Sequence, residues 1–296
     1  MRKFLILILF MFGCQTTKDV PKSKPKVQTF KQVDSRIPQL RDLFYEKMAE
    51  AALLRNSENG WIVWDDCDSM LWTGKYAAVA CDVNIQAAEW PTGRRGRYGR
   101  KPGFGCSTSW SRDMGVGGFF PYTFRCNRRD LLESHAKYGA KNRYKMGEPM
   151  GDGRVLYTFN VIGLMYRTIK KMGGKRNWLM YLGTHYPSGQ TGYHAHIQMM
   201  QLWLRWHAQG KFYQKWKDRI REHKNREPNN PFYQLMDGYL SGNQSKTITL
   251  LLDPAMPMSD YVRCGEGNLY RCKLAEWLWV TNEVLRLYGY GVKPIS

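Results

Sequence analysis

The sequence predicts a mainly α-helical domain with long loops, and three observations support this prediction. Apolar residues recur at spacings of three and four, as on one face of a helix, in several separate stretches. Period-two alternation, which is typical of strands, is clear in one stretch, from Thr247 to Leu252. The connections are long and rich in glycine and aromatic residues. Together these features indicate paired helices with elaborate loops at one end.

The first element, residues 1–13, has the pattern of a secretory signal. A positively charged start precedes the apolar run from Phe4 to Phe12, which is shorter than the ~20 residues needed to span a bilayer. The run ends in Met-Phe-Gly-Cys, which resembles the lipobox of bacterial lipoproteins and would make Cys14 the acylated first residue of the mature protein. The alternative is an ordinary signal peptide with an incidental cysteine.

Residues 14–32 form the second element, a polar stretch with two prolines and no apolar periodicity. Such a composition predicts a disordered tether. Gln15 follows the cysteine, and by the sorting rule that accompanies the lipobox resemblance this favours the outer membrane. We therefore expect a lipid-anchored protein of the bacterial cell envelope, with the membrane as a partner.

Residues 33–296 form the third element, which we predict to be a single helical domain. Pro38 suits the first turn of a helix, because the missing N–H costs nothing there. The pair Gly173-Gly174 predicts the end of a later helix. Pro121 interrupts another helical pattern. The predicted helices cover residues 38–51, 68–90, 111–125, 155–169, 193–209 and 274–288.

Cysteine usage agrees with export. Apart from Cys14 there are six cysteines, an even number that suggests disulfides in an oxidising envelope. Cys264 and Cys272 are close enough in sequence to close a small loop. A structural zinc site is the competing interpretation, which the absence of any Cys-x-x-Cys disfavours. The other four cysteines, which we expect to pair among themselves, are Cys67, Cys81, Cys106 and Cys126.

Charge and aromatic content indicate the class of partner. The formal net charge of +20 attracts polyanions. For an exported chain these are wall carboxylates, acidic polysaccharides and lipid head groups, and nucleic acid is excluded. The densest basic cluster, residues 93–101 with Arg95 inside it, is either a substrate-facing loop or a solvated surface loop. Eleven tryptophans and eighteen tyrosines suit the stacking of sugar rings, although most of them must also serve the core.

Carboxylates cluster at the starts of two predicted helices. Asp65, Asp66 and Asp68 precede one helix, and Asp113 lies in the first turn of another, beside Arg112. Aspartate at a helix start often caps backbone N–H groups, so one of the first three is expected to be structural. Alternatively, the two helix starts offer their carboxylates to one opening, where such a pair can act as acid and base or nucleophile on a sugar bond.

The histidines give a weaker signal. His185 precedes the Gly-Tyr-His-Ala-His run that contains Tyr193, His194 and His196. Two histidines separated by one residue point in different directions on a helix, so we expect no metal site. Hydrogen bonding to a polar ligand and burial in the core are the two remaining interpretations. No nucleotide or phosphate fingerprint is present, so no cofactor is expected.

The order of these motifs resembles bacterial exported proteins of the (α/α)-toroid, or six-hairpin glycosidase-like, type. The resemblance implies a ring of helical hairpins whose loops build a sugar cleft, with aspartate or glutamate pairs as the catalytic groups. A domain of about 260 residues is shorter than a six-hairpin ring, so the toroid is expected to be incomplete. The segments that carry the resemblance are residues 66–74, 111–115, 192–196 and 202–205.

By this resemblance Asp68 and Asp113 are the catalytic carboxylates, with Asp66 in reserve. We predict that the protein acts on or binds a glycan of the polysaccharide or peptidoglycan type, as a glycoside hydrolase if it is an enzyme. The alternative is a non-catalytic lipoprotein that binds anionic envelope polymers. The expected substrate-binding residues are Trp72, Trp110 and Tyr193 for stacking, Arg95 and Arg112 for acidic groups, and His185 and His194 for hydrogen bonds.

Overall fold

The structure, a computed structural model, describes residues 34–64, 66–89, 95–102, 110–147, 155–183, 191–258, 264 and 267–291. Over these ranges the chain is mainly helical, as the sequence predicts. The α-helices are α1 (Ile37–Leu53), α2 (Ser69–Ala80), α3 (Phe120–Arg125), α4 (Arg129–Lys141), α5 (Phe159–Lys171), α6 (Gly192–Gln209), α7 (Gln214–Arg226), α8 (Pro231–Ser241), α9 (Ser245–Leu251) and α10 (Leu269–Leu287).

Shorter elements join these helices. Two 3₁₀ turns cover Ile85–Ala88 and Trp178–Tyr181, and a π-helix, Met114–Phe119, leads directly into α3. Pro121 lies in the first turn of α3, which explains how the helical pattern continues past it. Strands β1 (Lys145–Gly147) and β2 (Val155–Leu156) form a short antiparallel pair.

The predictions of secondary structure are wrong in places. The helix predicted over residues 155–169 begins only at Phe159, and Val155 and Leu156 form β2 instead. The stretch from Thr247 to Leu252 is not a strand, because it forms α9. Leu251 follows Ile248 by three positions and Thr247 by four, so these buried residues lie on one face of α9, which packs against α8. A short apolar run fits either a strand or a buried helix, and here tertiary packing decides.

Helix α2 lies at the centre of the fold. All twelve of its residues are buried, and it packs against the π-helix, α3 and α10. It ends at Ala80, ten residues before the predicted end, and is followed by Cys81, where φ is +60°. Helix α10 is also largely buried and is covered by α1 on another side. Helices α2 and α10, which both contribute residues to the candidate site, are therefore largely buried.

Disulfides form as the cysteine pattern predicts. Cys81 at the end of α2 is bonded to Cys126 at the end of α3, with 5.4 Å between their Cα atoms. Cys264 is bonded to Cys272, which closes the expected small loop. Cys67 is disulfide-bonded as well. Cys106 lies outside the described residues.

The described part of the basic cluster, residues 95–101, is packed rather than solvated. Arg97 and Tyr98 are buried. The Nδ1 atom of His135 on α4 lies 2.7 Å from the Gly96 carbonyl oxygen. Only the Arg95 end of this segment is exposed. The interpretation of the whole cluster as a solvated loop is therefore wrong.

No helix in the described ranges has the length and apolar character required to cross a membrane. The predicted signal, the lipidation site Cys14 and the tether over residues 14–32 lie outside those ranges.

Candidate functional site

Three helical elements begin at one place in the molecule. Asp68 immediately precedes α2, Asp113 immediately precedes the π-helix, and Tyr193 lies in the first turn of α6. The Tyr193 hydroxyl donates a hydrogen bond to the Asp113 carboxylate, and the Asp113 charge acts on Asp68. Helix N-termini favour negative charge, which helps these carboxyl groups to share one site.

Two glycines allow α2 and the π-helix to approach closely. A Cβ atom added at Gly74 would lie 2.5 Å from the Cα of Gly118. A Cβ atom added at Gly118 would lie 2.2 Å from the Met70 carbonyl oxygen. Because no side chain fits between these backbones, the two aspartate-bearing starts are held beside each other by the helices themselves.

Asp68 is the more accessible carboxyl group, with its side chain 26% exposed. Its Oδ1 atom lies 3.1 Å from Nη1 of Arg100. Burial, followed by repulsion from Asp113, raises the pKa of Asp68 to about 6, against the opposing effect of Arg100. The group is therefore poised to exchange a proton close to neutral pH.

Asp113 lies deeper and is only 4% exposed. It accepts hydrogen bonds from the Ser111 hydroxyl and from the Tyr193 hydroxyl, which fix its orientation. Burial, followed by the charge of Asp113, raises the pKa of Tyr193, so this hydroxyl stays protonated as a donor. The two carboxyl groups therefore differ in exposure and in hydrogen-bond partners.

Asp66 has a structural part in this site. Its Oδ1 atom accepts the backbone N–H of Asp68 at 2.6 Å, and its carbonyl accepts the Ser69 hydroxyl. This turn presents Asp68 at the start of α2. Asp66 is thus the capping-type aspartate that the sequence leads us to expect among the three, and Asp65 lies outside the described residues.

A buried charge pair lies further along α2, in the interior behind the two carboxyl groups. Lys75 Nζ is 3.1 Å from Oε2 of Glu276 on α10 and 3.0 Å from Nε2 of His196 on α6. Burial lowers the pKa of Lys75 and raises that of Glu276, and their mutual attraction opposes both shifts. The charge of Asp113 also acts on Lys75. The site therefore has a charged interior behind a rim of partly or fully exposed residues, namely Asp68, Arg112, Tyr193 and His194.

Aromatic rings enclose this charge pair. Lys75 Nζ lies 4.6 Å from the centre of the Trp72 ring and 5.7 Å from that of Trp279. These cation–π contacts favour the ammonium group inside an otherwise apolar bundle. Trp72 is thus a neighbour of the buried lysine.

The structure corrects two predictions about stacking residues. Trp72 and Trp110 are buried in the core, so neither ring offers an exposed face to a sugar. Trp110 Nε1 donates to the Tyr157 hydroxyl at 2.6 Å. That hydroxyl lies 3.0 Å from Nε2 of His135. This buried hydrogen-bond chain explains why the indole points inward.

The other predicted binding residues are distributed as follows. Tyr193 and Arg112 are half-buried beside Asp113, and the charge of Arg112 acts on the Tyr193 hydroxyl. His194 is exposed next to Tyr193. Arg95 is exposed at the end of its segment, and no described contact joins it to the carboxyl pair. His185 lies outside the described residues.

Sequence reasoning missed four residues of this site: Arg100, Lys75, His196 and Glu276. Lys75 follows Asp68 by seven positions, which places both on one face of α2, and this spacing could have been noticed. Glu276 interrupts an apolar run of α10, which is a signal of burial, although we expect an ordinary helix or loop acid from sequence. His196 lies in the Gly-Tyr-His-Ala-His run and Arg100 in the basic cluster, but no sequence signal placed either residue beside the carboxyl groups.

Two further findings bear on the class of protein. Among the described residues there is no group of three or more histidine, cysteine, aspartate or glutamate side chains that could hold a metal ion. Comparisons with protein-family models, with curated proteins and with solved structures gave no match to this chain.

Proposed function

We propose that this protein acts on a glycan of the bacterial cell envelope, as a glycoside hydrolase that uses Asp68 and Asp113. The observation that carries the proposal is the pair of unlike carboxyl groups at the shared start of α2 and the π-helix. The mainly helical fold agrees with a toroid-like arrangement of hairpins, which stays a prediction. The envelope location and the lipid on Cys14 rest on the sequence.

The chemistry assigns a different role to each carboxyl group. Protonated Asp68 gives its proton to the glycosidic oxygen as the bond from this oxygen to the sugar C1 breaks. Asp113 either attacks C1 directly or removes a proton from an attacking water molecule. A carboxyl group with a pKa of about 6 suits the acid role near neutral pH. The oriented, buried Asp113 suits the role of base or nucleophile.

The rim of the site suits an acidic sugar. Arg100 and Arg112 supply guanidinium groups next to the carboxyl pair, and Tyr193 and His194 supply an aromatic face and a hydrogen-bonding ring. Guanidinium groups bind carboxylates through two parallel hydrogen bonds. We therefore expect a polysaccharide or peptidoglycan-type glycan that carries carboxyl groups.

The proposal is tested by measuring the release of reducing ends from peptidoglycan and from uronic-acid polysaccharides. Asp68→Asn and Asp113→Asn are each expected to lower the rate at least ~100-fold, because general acid–base steps contribute that much. The matched control is Asp130→Asn, an exposed α4 residue paired with Arg128, which should cleave normally.

The pH dependence supplies a second readout. The cleavage rate of the unmodified protein should fall as the pH rises above about 6, because Asp68 then loses its proton. Cleavage that persists in both aspartate variants, or that continues undiminished at pH 8, would contradict the assignment.

The second candidate function is non-catalytic binding of anionic envelope polymers. The net charge of +20 favours it, and so does the burial of two of the three expected stacking rings. This function predicts binding that survives Asp68→Asn and Asp113→Asn but weakens as salt is added. Polymer binding without any cleavage by the unmodified protein would favour this function over hydrolysis.

A further inference from the structure

One face of the molecule exposes large aromatic side chains. Phe159, at the start of α5, is 70% exposed, and Trp178 and Tyr181 in the following 3₁₀ turn are 71% and 59% exposed. Leu156, just before α5, is also exposed. Single exposed apolar residues need no explanation, but several large ones in neighbouring elements indicate an interaction surface.

These rings belong to one region because the 3₁₀ turn packs along α5. A Cβ atom added at Gly163 would lie 2.0 Å from the Leu182 carbonyl oxygen. A Cβ atom added at Gly183 would lie 2.2 Å from the Cα of Asn160, next to Phe159. The chain after the turn therefore runs beside the start of α5, so the two elements that carry the exposed rings are neighbours.

The same segment is strongly basic. Residues 157–183 contain five lysine and arginine residues and no aspartate or glutamate. Within the part of the chain that the structure describes, the four exposed cations make no ion pair, and Arg176 stacks 5.5 Å from the Tyr181 ring. These four exposed cations are Lys170, Lys171, Lys175 and Arg176.

Among the described residues, the acids of the neighbouring helix α4 are already paired. On the neighbouring helix α4, Glu133 lies 3.5 Å from Arg129, and Arg129 donates to the Met172 carbonyl oxygen. Asp130 is paired with Arg128. Within the described ranges, none of the four exposed cations therefore has an acidic partner of its own.

We propose that this aromatic–basic face, formed by Phe159, Trp178, Tyr181 and the four exposed cations, docks on a membrane surface that contains anionic lipids. Amphipathic rings lie at the level of lipid head groups, and neighbouring lysine and arginine side chains attract anionic head groups. The proposal does not rest on the glycan-directed function, since none of these residues belongs to the carboxyl site.

The experiment measures flotation of the full chain with vesicles. All variants carry Cys14→Ser, which removes the proposed acylation site. The N-terminal apolar run is the same in every variant, so it contributes equally to their vesicle binding. Vesicles of phosphatidylglycerol with phosphatidylcholine are compared with phosphatidylcholine alone. Each cation near an anionic surface strengthens binding about fivefold. Replacing all four by glutamine should thus weaken binding to the anionic vesicles by roughly 600-fold.

The matched control replaces four other exposed cations, in α7 or just before it, by glutamine. It therefore lowers the net charge by the same amount as the four-cation variant. It should retain most of the vesicle binding. Trp178→Ser with Tyr181→Ser should weaken binding at least tenfold, whereas Tyr45→Ser with Tyr213→Ser, which removes two other exposed rings, should have little effect. The control cations are Lys211, Lys215, Arg221 and Arg226.

Three results would overturn the proposal. The first is equal binding of the four-cation variant and its charge-matched control. The second is binding to phosphatidylcholine vesicles as strong as binding to the anionic vesicles. The third is tight binding of a soluble acidic polysaccharide through this face without any preference for anionic vesicles. Unchanged urea unfolding of the four-cation variant would establish that a loss of binding is not a loss of fold.

Discussion

Replacing Lys75 by methionine tests the buried charge pair that supports the candidate site. In the unmodified protein Lys75 and Glu276 have no exposed side-chain surface, and their charged atoms are 3.1 Å apart. At an effective dielectric constant of about 20, this separation corresponds to an attraction of about 5 kcal/mol. Removing the two ions from water costs several kcal/mol for each, so the pair as a whole contributes little net stability.

The single substitution is nevertheless expected to be costly. Lys75→Met leaves Glu276 in the core without its cation, which should lower the free energy of unfolding by about 3–5 kcal/mol. Lys75→Met combined with Glu276→Leu removes both charges, and this double variant should lose less stability than Lys75→Met alone. The surface variant Lys47→Met, which breaks a partly exposed pair with Glu50, should cost at most about 1 kcal/mol.

The pH dependence of Lys75→Met has a definite sign. Burial raises the pKa of Glu276 in the folded chain, so the folded state binds the proton more readily than the unfolded state does. The deficit of Lys75→Met relative to the unmodified protein should therefore shrink as the pH falls from 7 toward the unfolded-state value of about 4.3.

Urea unfolding followed by tryptophan fluorescence, with the disulfides kept oxidised, measures all four proteins. The reasoning is refuted if Lys75→Met costs no more than Lys47→Met. It is also refuted if the double variant is less stable than the single one, because the two charges would then not compensate each other.

Three further predictions concern other parts of the structure. Asp68→Asn should be more stable than the unmodified protein above about pH 6, by about 3 kcal/mol in urea unfolding, and the gain should vanish below about pH 4, since a raised carboxyl pKa destabilises the folded state only where the group ionises. Tyr157→Phe should lower the free energy of unfolding by about 1–3 kcal/mol, because the buried Trp110 indole then has no acceptor; an effect near zero would contradict this. Gly96→Ala should lower the thermal midpoint, because φ is +87° and the new Cβ would lie 2.2 Å from the Ser134 carbonyl oxygen; an unchanged midpoint would show that the segment can shift.

The parts of the fold that the sequence predicted are those with a local signal. Apolar residues at three-four spacing identify α1, α5, α6 and α10, since this spacing is a property of each helix by itself. Helix α7 was not predicted, because it is mostly polar and buries only Trp216, Ile220 and His223. For α9, local alternation suggested a strand, and packing against α8 overrode it.

The candidate site was predictable to a similar degree. Sequence alone places Asp68 and Asp113 at helix starts, because capping preferences are local. It cannot determine that these two starts lie together or that Trp72 faces a buried lysine, since both depend on how α2 crosses its neighbours. The charge of Lys75 was overlooked because a lysine in an apolar helix is usually assigned to the surface.

The crossing at Gly74 and Gly118 affects how tolerant the acid pair is to change. Because backbone rests on backbone there, the spacing of the two carboxyl-bearing ends does not depend on any side-chain rotamer. Substitutions that rearrange the surrounding apolar side chains would leave this spacing intact. A single methyl group at either glycine would instead force the axes of α2 and the π-helix apart. The geometry on which the proposed chemistry depends is thus robust to most mutations and vulnerable at two positions distant from the reacting atoms.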